Sequence, residues 1–274
     1  MVSIVLLAAL LHAGWNVAVR AAGDRRRETA LLLCGGGVIT IVVLPFLGMP
    51  EPASWPYLLV SALLNGLYFI LIAEAYAHGG VALAYPLMRG AAPLLTLLAG
   101  LVLLGEQVPL LESIGIATIC GGVLLLVRRR GGRDEAASAR FALINAVVIA
   151  AYTLNDAVGA RLSQAPLSYA LCLFPLSAIP TLLWLWHRST ALHVPNLREV
   201  ARGLGGAGAS VGAYALVLWA MTQAPVAPVA ALRETGILIG VVLARVFLGE
   251  RPGRRGWGGA IAIAAGAAIL RLAR

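Results

Sequence analysis

Residues 84–106 read AYPLMRGAAPLLTLLAGLVLLGE, and the chain is organised around them. It is apolar over roughly the 20 residues that a helix needs to cross a bilayer. It nevertheless carries one full charge, Arg89, well inside the span, and it ends in Glu106. Because an ionisable side chain at that depth is costly in lipid, the stretch predicts a membrane-spanning helix whose charged face points into the protein.

A second stretch, residues 227–250, reads APVAALRETGILIGVVLARVFLGE and repeats the first. One constant shift in register puts Arg89 on Arg233 and superimposes the two Leu-Gly-Glu endings. Without a gap, the same shift aligns three further pairs: Gly115 with Gly259, Gly122 with Gly266, and Leu126 with Leu270. Arginine and Gly-Glu are scarce in apolar helices, so we interpret the chain as two related halves.

Composition places the chain among membrane proteins. Of its 274 residues, 60% are hydrophobic and 12% are charged, with a mean hydropathy of +0.89, whereas a soluble domain carries about 25% charged residues. The net charge is +9, and every basic residue is an arginine. Basic proteins often bind nucleic acid, but here the arginines lie in short loops between apolar spans. We therefore expect a lipid bilayer, and no nucleic acid, as a partner.

The apolar segments predict an all-α polytopic protein with ten transmembrane helices, five in each half. We expect these spans at residues 2–22, 29–48, 55–77, 81–104, 108–127, 140–162, 167–186, 201–222, 226–248 and 256–272. Because five is odd, the second copy must enter the membrane in the opposite sense to the first. The prediction is two inverted repeats, residues 1–130 and residues 140–274.

Both halves open on a helix with a polar stripe at the same i, i+3, i+4 spacing. The stripes are His12, Trp15 and Asn16 in the first span, and Tyr152, Asn155 and Asp156 in the sixth. His12 with Asn16 could hydrogen-bond a substrate or a proton, or His12 could satisfy a backbone carbonyl. Both readings stay open.

The two deep arginines also have two open roles. Arg89 and Arg233 either pair with Glu74, Asp156 or Glu234 to hold the helices together, or they bind an anionic group of a substrate. The glutamates of the Leu-Gly-Glu endings are easier to interpret. Each follows a helix end, where a carboxylate can cap the N-terminus of the next helix.

Motifs of ATP use and of metal catalysis are absent from the sequence. It contains no GxxxxGK[ST] phosphate loop, no HExxH and no paired acidic metal cluster. We find no nucleophile or metal constellation that an enzyme would need. We therefore expect no cofactor, no metal and no catalysis, and any transport would be driven by a gradient or be passive.

Several motifs together resemble one known family. They are HAGWN at 12–16, AYPLMR at 84–89, LLGE at 103–106, LRE at 232–234 and FLGER at 247–251. They resemble the EamA-type branch of the drug/metabolite transporter superfamily over nearly the whole chain, and within it the YddG-type aromatic amino acid exporters. The resemblance implies ten helices in two inverted repeats around a central cavity. It also implies a multi-pass protein of the bacterial inner (plasma) membrane, which we expect to act as a monomer.

The leading hypothesis is an exporter that moves amino acids, aromatic or otherwise hydrophobic, out of the cytoplasm by alternating access. A nucleotide-sugar or sugar-phosphate exchanger is the alternative within transport, and an intramembrane enzyme or receptor is the alternative of another class. The candidate substrate-binding residues are polar or aromatic residues of the spans. They are His12, Trp15, Asn16, Asn65, Tyr68, Glu74, Tyr85, Arg89, Tyr152, Asn155, Tyr214, Trp219 and Arg233.

The arginines also predict the topology. The loops after the first, fifth, seventh and ninth spans hold most of them, and positive loops stay in the cytoplasm. Both termini should therefore lie outside the cytoplasm. A C-terminal fusion to a reporter that is active only in the cytoplasm should be silent, and an active fusion would contradict this topology.

Overall fold

The computed structural model describes residues 1–21, 25–128, 134–188, 195–248 and 253–273. Within these ranges the side chains at some positions lie outside the description: 16–21, 25–29, 180–182, 184–188, 244, 247 and 248. The described chain is helical throughout, without a strand. Its α-helices are α1 (Val2–Ala21), α2 (Arg25–Leu47), α3 (Trp55–Gly79), α4 (Val81–Leu103), α5 (Leu110–Leu124), α6 (Glu135–Leu162), α7 (Pro166–Arg188), α8 (Leu197–Gln223), α9 (Val226–Arg233), α10 (Thr235–Leu248) and α11 (Arg254–Leu272).

These helices correspond to the ten predicted spans. Six stretches of the described chain are long and apolar enough to cross a membrane, and three shorter apolar helices accompany them. Helices α1 to α8 match the first eight predicted spans, and α11 matches the tenth. The ninth predicted span is the exception, because it consists of two helices.

Helices α9 and α10 meet at Glu234, where the helical winding tightens. The Glu234 N–H donates to the Ala231 carbonyl at 3.0 Å, and the Ile237 N–H donates to the Glu234 carbonyl at 2.9 Å. Both bonds reach back three residues instead of four, and such tight turns often mark functional sites. The predicted span is confirmed over Val226–Leu243, but its helix is irregular at this point, and a carboxylate occupies the junction.

The start of α8 also differs from expectation. The polar residues up to Glu199 predict a loop, but the helix already begins at Leu197. The Asn196 side chain accepts from the Glu199 N–H at 3.0 Å, and the Glu199 carboxylate accepts from the Asn196 N–H at 2.8 Å. This reciprocal capping box satisfies two backbone donors and starts the helix early.

Several of the main contacts between helices recur when the two halves are exchanged. Helix α1 packs on α8 as its counterpart α6 packs on α3, and α1 packs on α9 and α10 as α6 packs on α4. Likewise α2 contacts α8 as α7 contacts α3, while α2 contacts its own counterpart α7 and α5 contacts its counterpart α11. Reciprocal contacts of this kind are those of an approximate two-fold axis.

Glycines bring α5 and α11 into close contact across that axis. A Cβ on Gly122 would lie 2.9 Å from the Gly259 carbonyl oxygen, and a Cβ on Gly266 would lie 2.7 Å from the Gly115 carbonyl oxygen. The later residue of α5 thus meets the earlier residue of α11, so the two helices run antiparallel. Because equivalent helices are antiparallel, the local two-fold axis is perpendicular to them.

Glu106 joins the halves at the end of α4. Its carboxylate accepts from the Val226 N–H at 2.8 Å and pairs with the Arg161 guanidinium at 3.0 Å. The expected cap on the next helix is therefore wrong: Glu106 caps α9 of the other half. Helix α9 begins after Pro225 without a side-chain cap of its own, so a carboxylate at its N-terminus satisfies a free backbone donor. The equivalent Glu250 lies outside the described residues.

We predict that Gly122→Ala destabilises the protein although alanine favours helices. The added methyl would lie 2.9 Å from the Ala262 Cβ and from two backbone atoms of α11, and overpacking costs about 1–3 kcal/mol. The matched control is Gly121→Ala, because a Cβ at Gly121 meets nothing within 4 Å. Thermal unfolding in detergent should show a lower Tm for Gly122→Ala alone, and equal Tm values would refute the close crossing.

Candidate functional site

Arg89 forms a buried ion pair with Glu234. Its Nε donates to Oε2 of Glu234 at 2.9 Å, and its terminal nitrogen lies 2.8 Å from Oε1. Arg89 is 5% exposed and Glu234 is 3% exposed. This two-point geometry is the strong form of an arginine–carboxylate bond. The pair cancels both charges and links α4 of the first half to the α9–α10 junction of the second.

Among the residues that the structure describes, Arg233 has no such partner, although the repeat aligns it with Arg89. Glu234 follows Arg233, but the residue that follows Arg89 is Gly90. A Cβ on Gly90 would lie 2.7 Å from the Leu124 Cγ, so close packing of α4 on α5 leaves no room for a side chain there. The first half therefore offers Arg233 no equivalent of the glutamate that holds Arg89.

Arg233 is half-buried, and its Nε is buried without a hydrogen-bond partner in the described part of the chain. An unsatisfied buried donor costs free energy, so the guanidinium is suited to an acceptor supplied from outside the chain. Its charge acts on groups from α1, α3, α4, α6 and α8, namely His12, Tyr68, Tyr85, Asp156 and Tyr214. The two halves thus converge on Arg233.

Aromatic rings flank this convergence in edge-to-face pairs. The ring centres of Tyr68 and Tyr152 lie 6.2 Å apart, as do those of Phe174 and Tyr214. His12 and Trp15 form a third pair, at 5.2 Å. Edge-to-face packing stabilises a ring pair by more than the burial of its surface area alone. They give the neighbourhood of Arg233 a partly aromatic wall.

Asp156 is fully buried and accepts hydrogen bonds from three hydroxyl groups. Tyr169 donates to its Oδ1 at 3.0 Å, Ser61 donates to the same oxygen, and Tyr214 donates to Oδ2. The Ser61 hydroxyl in turn accepts from the Asn155 amide at 2.8 Å. The carboxylate thus ties α6 to α3, α7 and α8, and within the described residues it has no ion-pair partner.

The other residues predicted for the site lie in different environments. Asn65 donates to the Ser61 carbonyl of its own helix at 2.9 Å, and Asn155 also donates to the Tyr57 carbonyl at 2.8 Å. Glu74 and Trp219 are exposed, with Trp219 at 40%. They lie on outward faces of α3 and α8, so we leave both out of the site. The Asn16 side chain lies outside the described residues.

Three residues that contribute to this region were missed from the sequence. Ser61 and Tyr169 hold Asp156, and Phe174 packs against Tyr214. Serine and phenylalanine are common in apolar helices, so the sequence pattern did not mark Ser61 or Phe174 as candidates. Tyr169 could have been noted, because a tyrosine hydroxyl inside a span needs a partner.

The arrangement suits binding of a small anion with an apolar body. A guanidinium with a free buried donor can take a carboxylate or a phosphate, and the aromatic rings can contact an apolar group. Pockets of this kind bind ligands through many apolar contacts and a few placed polar groups.

Comparison with known proteins agrees with the fold. The family model described as "EamA-like transporter family" matches residues 1–128 and again residues 138–272. One solved structure, described only as the crystal structure of a protein, aligns with 98% of this chain and 96% of its own, at 21% identity and a TM-score of 0.76. It shares the fold, and at this identity the likeness carries nothing further. No curated protein matches the chain.

We predict that Arg89→Gln destabilises the protein much more than Arg233→Gln. The first change leaves Glu234 buried and unpaired, which costs about 3–5 kcal/mol, whereas the second removes a cation that forms no ion pair with any residue the structure describes. The measurement is thermal unfolding of both variants in detergent. The double variant Arg89→Gln/Glu234→Gln should recover much of the loss. Equal losses for the two single variants would contradict the pairing.

Proposed function

Since the chain belongs to the EamA-like transporter family, we propose that it exports amino acids, aromatic or otherwise hydrophobic, from the cytoplasm by alternating access. The family makes it a multi-pass membrane transporter of small molecules. We further propose that it lies in the bacterial inner membrane, acts as a monomer and is similar to the YddG-type exporters.

One observation carries the choice of substrate. Within the described residues, the Arg233 Nε is buried without a hydrogen-bond partner, and the Arg233 charge acts on Tyr68 of the first half and Tyr214 of the second. An amino acid brings a carboxylate for the guanidinium, and an aromatic or apolar side chain suits the rings. Arg89 is left out of the binding role, because Glu234 already occupies its guanidinium.

The substrate's ammonium group needs an acceptor, and Asn155 is the best placed of the predicted residues. Its amide nitrogen is held by the Tyr57 carbonyl and the Ser61 hydroxyl. This fixes the side chain and leaves its amide oxygen as the acceptor. Glu74, another predicted acceptor, is exposed.

The architecture supports alternating access. We take residues 1–130 and 140–274 as inverted repeats around a central cavity, with the reciprocal packing and the antiparallel α5–α11 crossing as support. Transporters built in this way bind substrate between the repeats and expose it to each side in turn. In this scheme the arginine of α9 lies where the two repeats meet.

A sugar-phosphate or nucleotide-sugar exchanger is the runner-up. A doubly charged phosphate favours several converging basic groups, and of the two deep arginines in the described chain one is neutralised by Glu234. Arg233 alone is a better match for the single charge of a carboxylate. An enzyme or receptor has no comparable support in the described residues.

We predict that purified protein in liposomes takes up labelled amino acids in a counterflow assay, with phenylalanine and tryptophan among the best substrates. Arg233→Gln should weaken substrate binding about ten- to hundredfold, because a hydrogen bond to a charged group contributes about 1.5–3 kcal/mol. Arg233→Lys should rescue it only in part, since lysine lacks the two-pronged geometry.

The matched control is Arg245→Gln. Arg245 is an exposed arginine of α10 whose guanidinium lies over the Trp257 ring, 5.9 Å from its centre. Its removal should leave counterflow unchanged. Normal transport by a folded Arg233→Gln variant would overturn the carboxylate site. Uptake of a phosphorylated sugar, with no uptake of any amino acid, would favour the runner-up.

A further inference from the structure

Asp156 differs from Glu234 and Glu106 in the kind of group that holds it. Each glutamate is paired with an arginine, and a guanidinium only donates hydrogen bonds and cannot accept one. Asp156 is fully buried and is held by hydroxyl groups. This difference matters because a hydroxyl can donate and also accept.

The hydroxyl cage fits both protonation states of Asp156. Around the ionised carboxylate, Ser61, Tyr169 and Tyr214 all donate. When the carboxyl takes up a proton, its new O–H needs an acceptor, and either tyrosine hydroxyl can turn to accept it. The change requires no charged group to leave and no helix to move. Asp156 is therefore built to gain and lose a proton in place.

We propose that Asp156 is a proton-binding site and that a proton bound there is exchanged for the amino acid substrate. The exchange rests on the proposed function. Ionised Asp156 and the guanidinium of Arg233 are opposite charges that act on each other, and together they match a zwitterion. Protonation removes the negative charge that balances the ammonium, so the proton and the zwitterion compete.

The groups around Asp156 allow this competition. Tyr169 from α7 and Tyr214 from α8 are the titratable groups bonded to it, α3 contributes the uncharged Ser61, and Arg233 acts on it from the end of α9. Arg89 of α4 is bound to Glu234 instead. Among these described neighbours, Arg233 is the full charge that acts on Asp156, and it is also the proposed site of the substrate carboxylate.

The proton balance of the cycle is simple. After the substrate leaves on the outside, Asp156 binds one proton from that side. When the protein reopens to the cytoplasm and the next substrate binds, Asp156 releases the proton there. No further reactant is consumed. An inward proton gradient then drives outward movement of the amino acid, which is the direction of the proposed export.

The first test needs no substrate. Infrared spectra of the protein in lipid, recorded as the pH is lowered, should show the growing C=O band of a protonated carboxylic acid. Exposed carboxylates contribute to this band too, so the signal of Asp156 is the component that is lost in the difference between wild type and Asp156→Asn. Glu51→Gln, which changes an exposed carboxylate, should keep that component. Tyr214→Phe keeps the ring but loses the bond to Oδ2, so the frequency of the component should shift. The proposal is overturned if the spectra of the wild type and of Asp156→Asn show the same protonated-acid bands at every pH.

The second test measures the exchange with labelled phenylalanine in proteoliposomes. An imposed pH gradient should drive phenylalanine towards the acidic side in wild-type protein and in Glu51→Gln. Asp156→Asn should lose this response, with weak transport that no longer depends on pH. If phenylalanine counterflow does not respond to the pH gradient, the proton exchange is overturned while the proposed function stands. An infrared band that behaves as expected without transport of any amino acid would defeat the proposed function and leave the proton site standing.

Discussion

The buried ion pair of Arg89 and Glu234 is the interaction on which the centre of this bundle depends. It joins the first half to the irregular junction between α9 and α10. Two charges in an apolar interior are tolerable only when they are paired and hydrogen-bonded. Because Glu234 is committed to the other half, it is not available to its own neighbour Arg233. The pair therefore holds the halves together and, within the described part of the chain, leaves Arg233 without a carboxylate partner at their interface.

The repeat explains why the site is asymmetric. Immediately after a duplication, equivalent positions of the two halves carry the same residue. A ligand whose two ends differ chemically needs different residues at those positions. Glu234 and its counterpart Gly90 supply the difference: one position carries the charge, and the other serves helix packing against Leu124. A difference at one of two equivalent positions thus makes the two deep arginines unequal: among the described residues, Arg89 has a carboxylate partner and Arg233 does not.

Much of the fold followed from the sequence, because apolar length, glycine spacing and repeat register act along the chain. The spans and the two halves were accessible in this way, whereas the sequence left Glu234 as one of three possible partners of the deep arginines. The direction in which a side chain points from its helix was harder to predict. Glu74 and Trp219, both expected in the site, face outward. Glu106 caps a helix that is distant in sequence, and a pattern along one chain does not reveal such a contact. The cage around Asp156 was missed for the same reason, since its donors come from three helices.

The glycine crossing of α5 and α11 has a thermodynamic consequence for a transporter that works by exchanging the conformations of its two repeats. A pair of equivalent helices that meets on the two-fold axis maps onto itself in that exchange. Its packing free energy is then the same in the inward-open and outward-open states and cancels from the equilibrium between them. The crossing can be made tighter or looser without biasing which side is open. Contacts away from the axis, such as that of Glu106 with α9, have no such neutrality, and in a transporter of this kind they would bias the resting orientation.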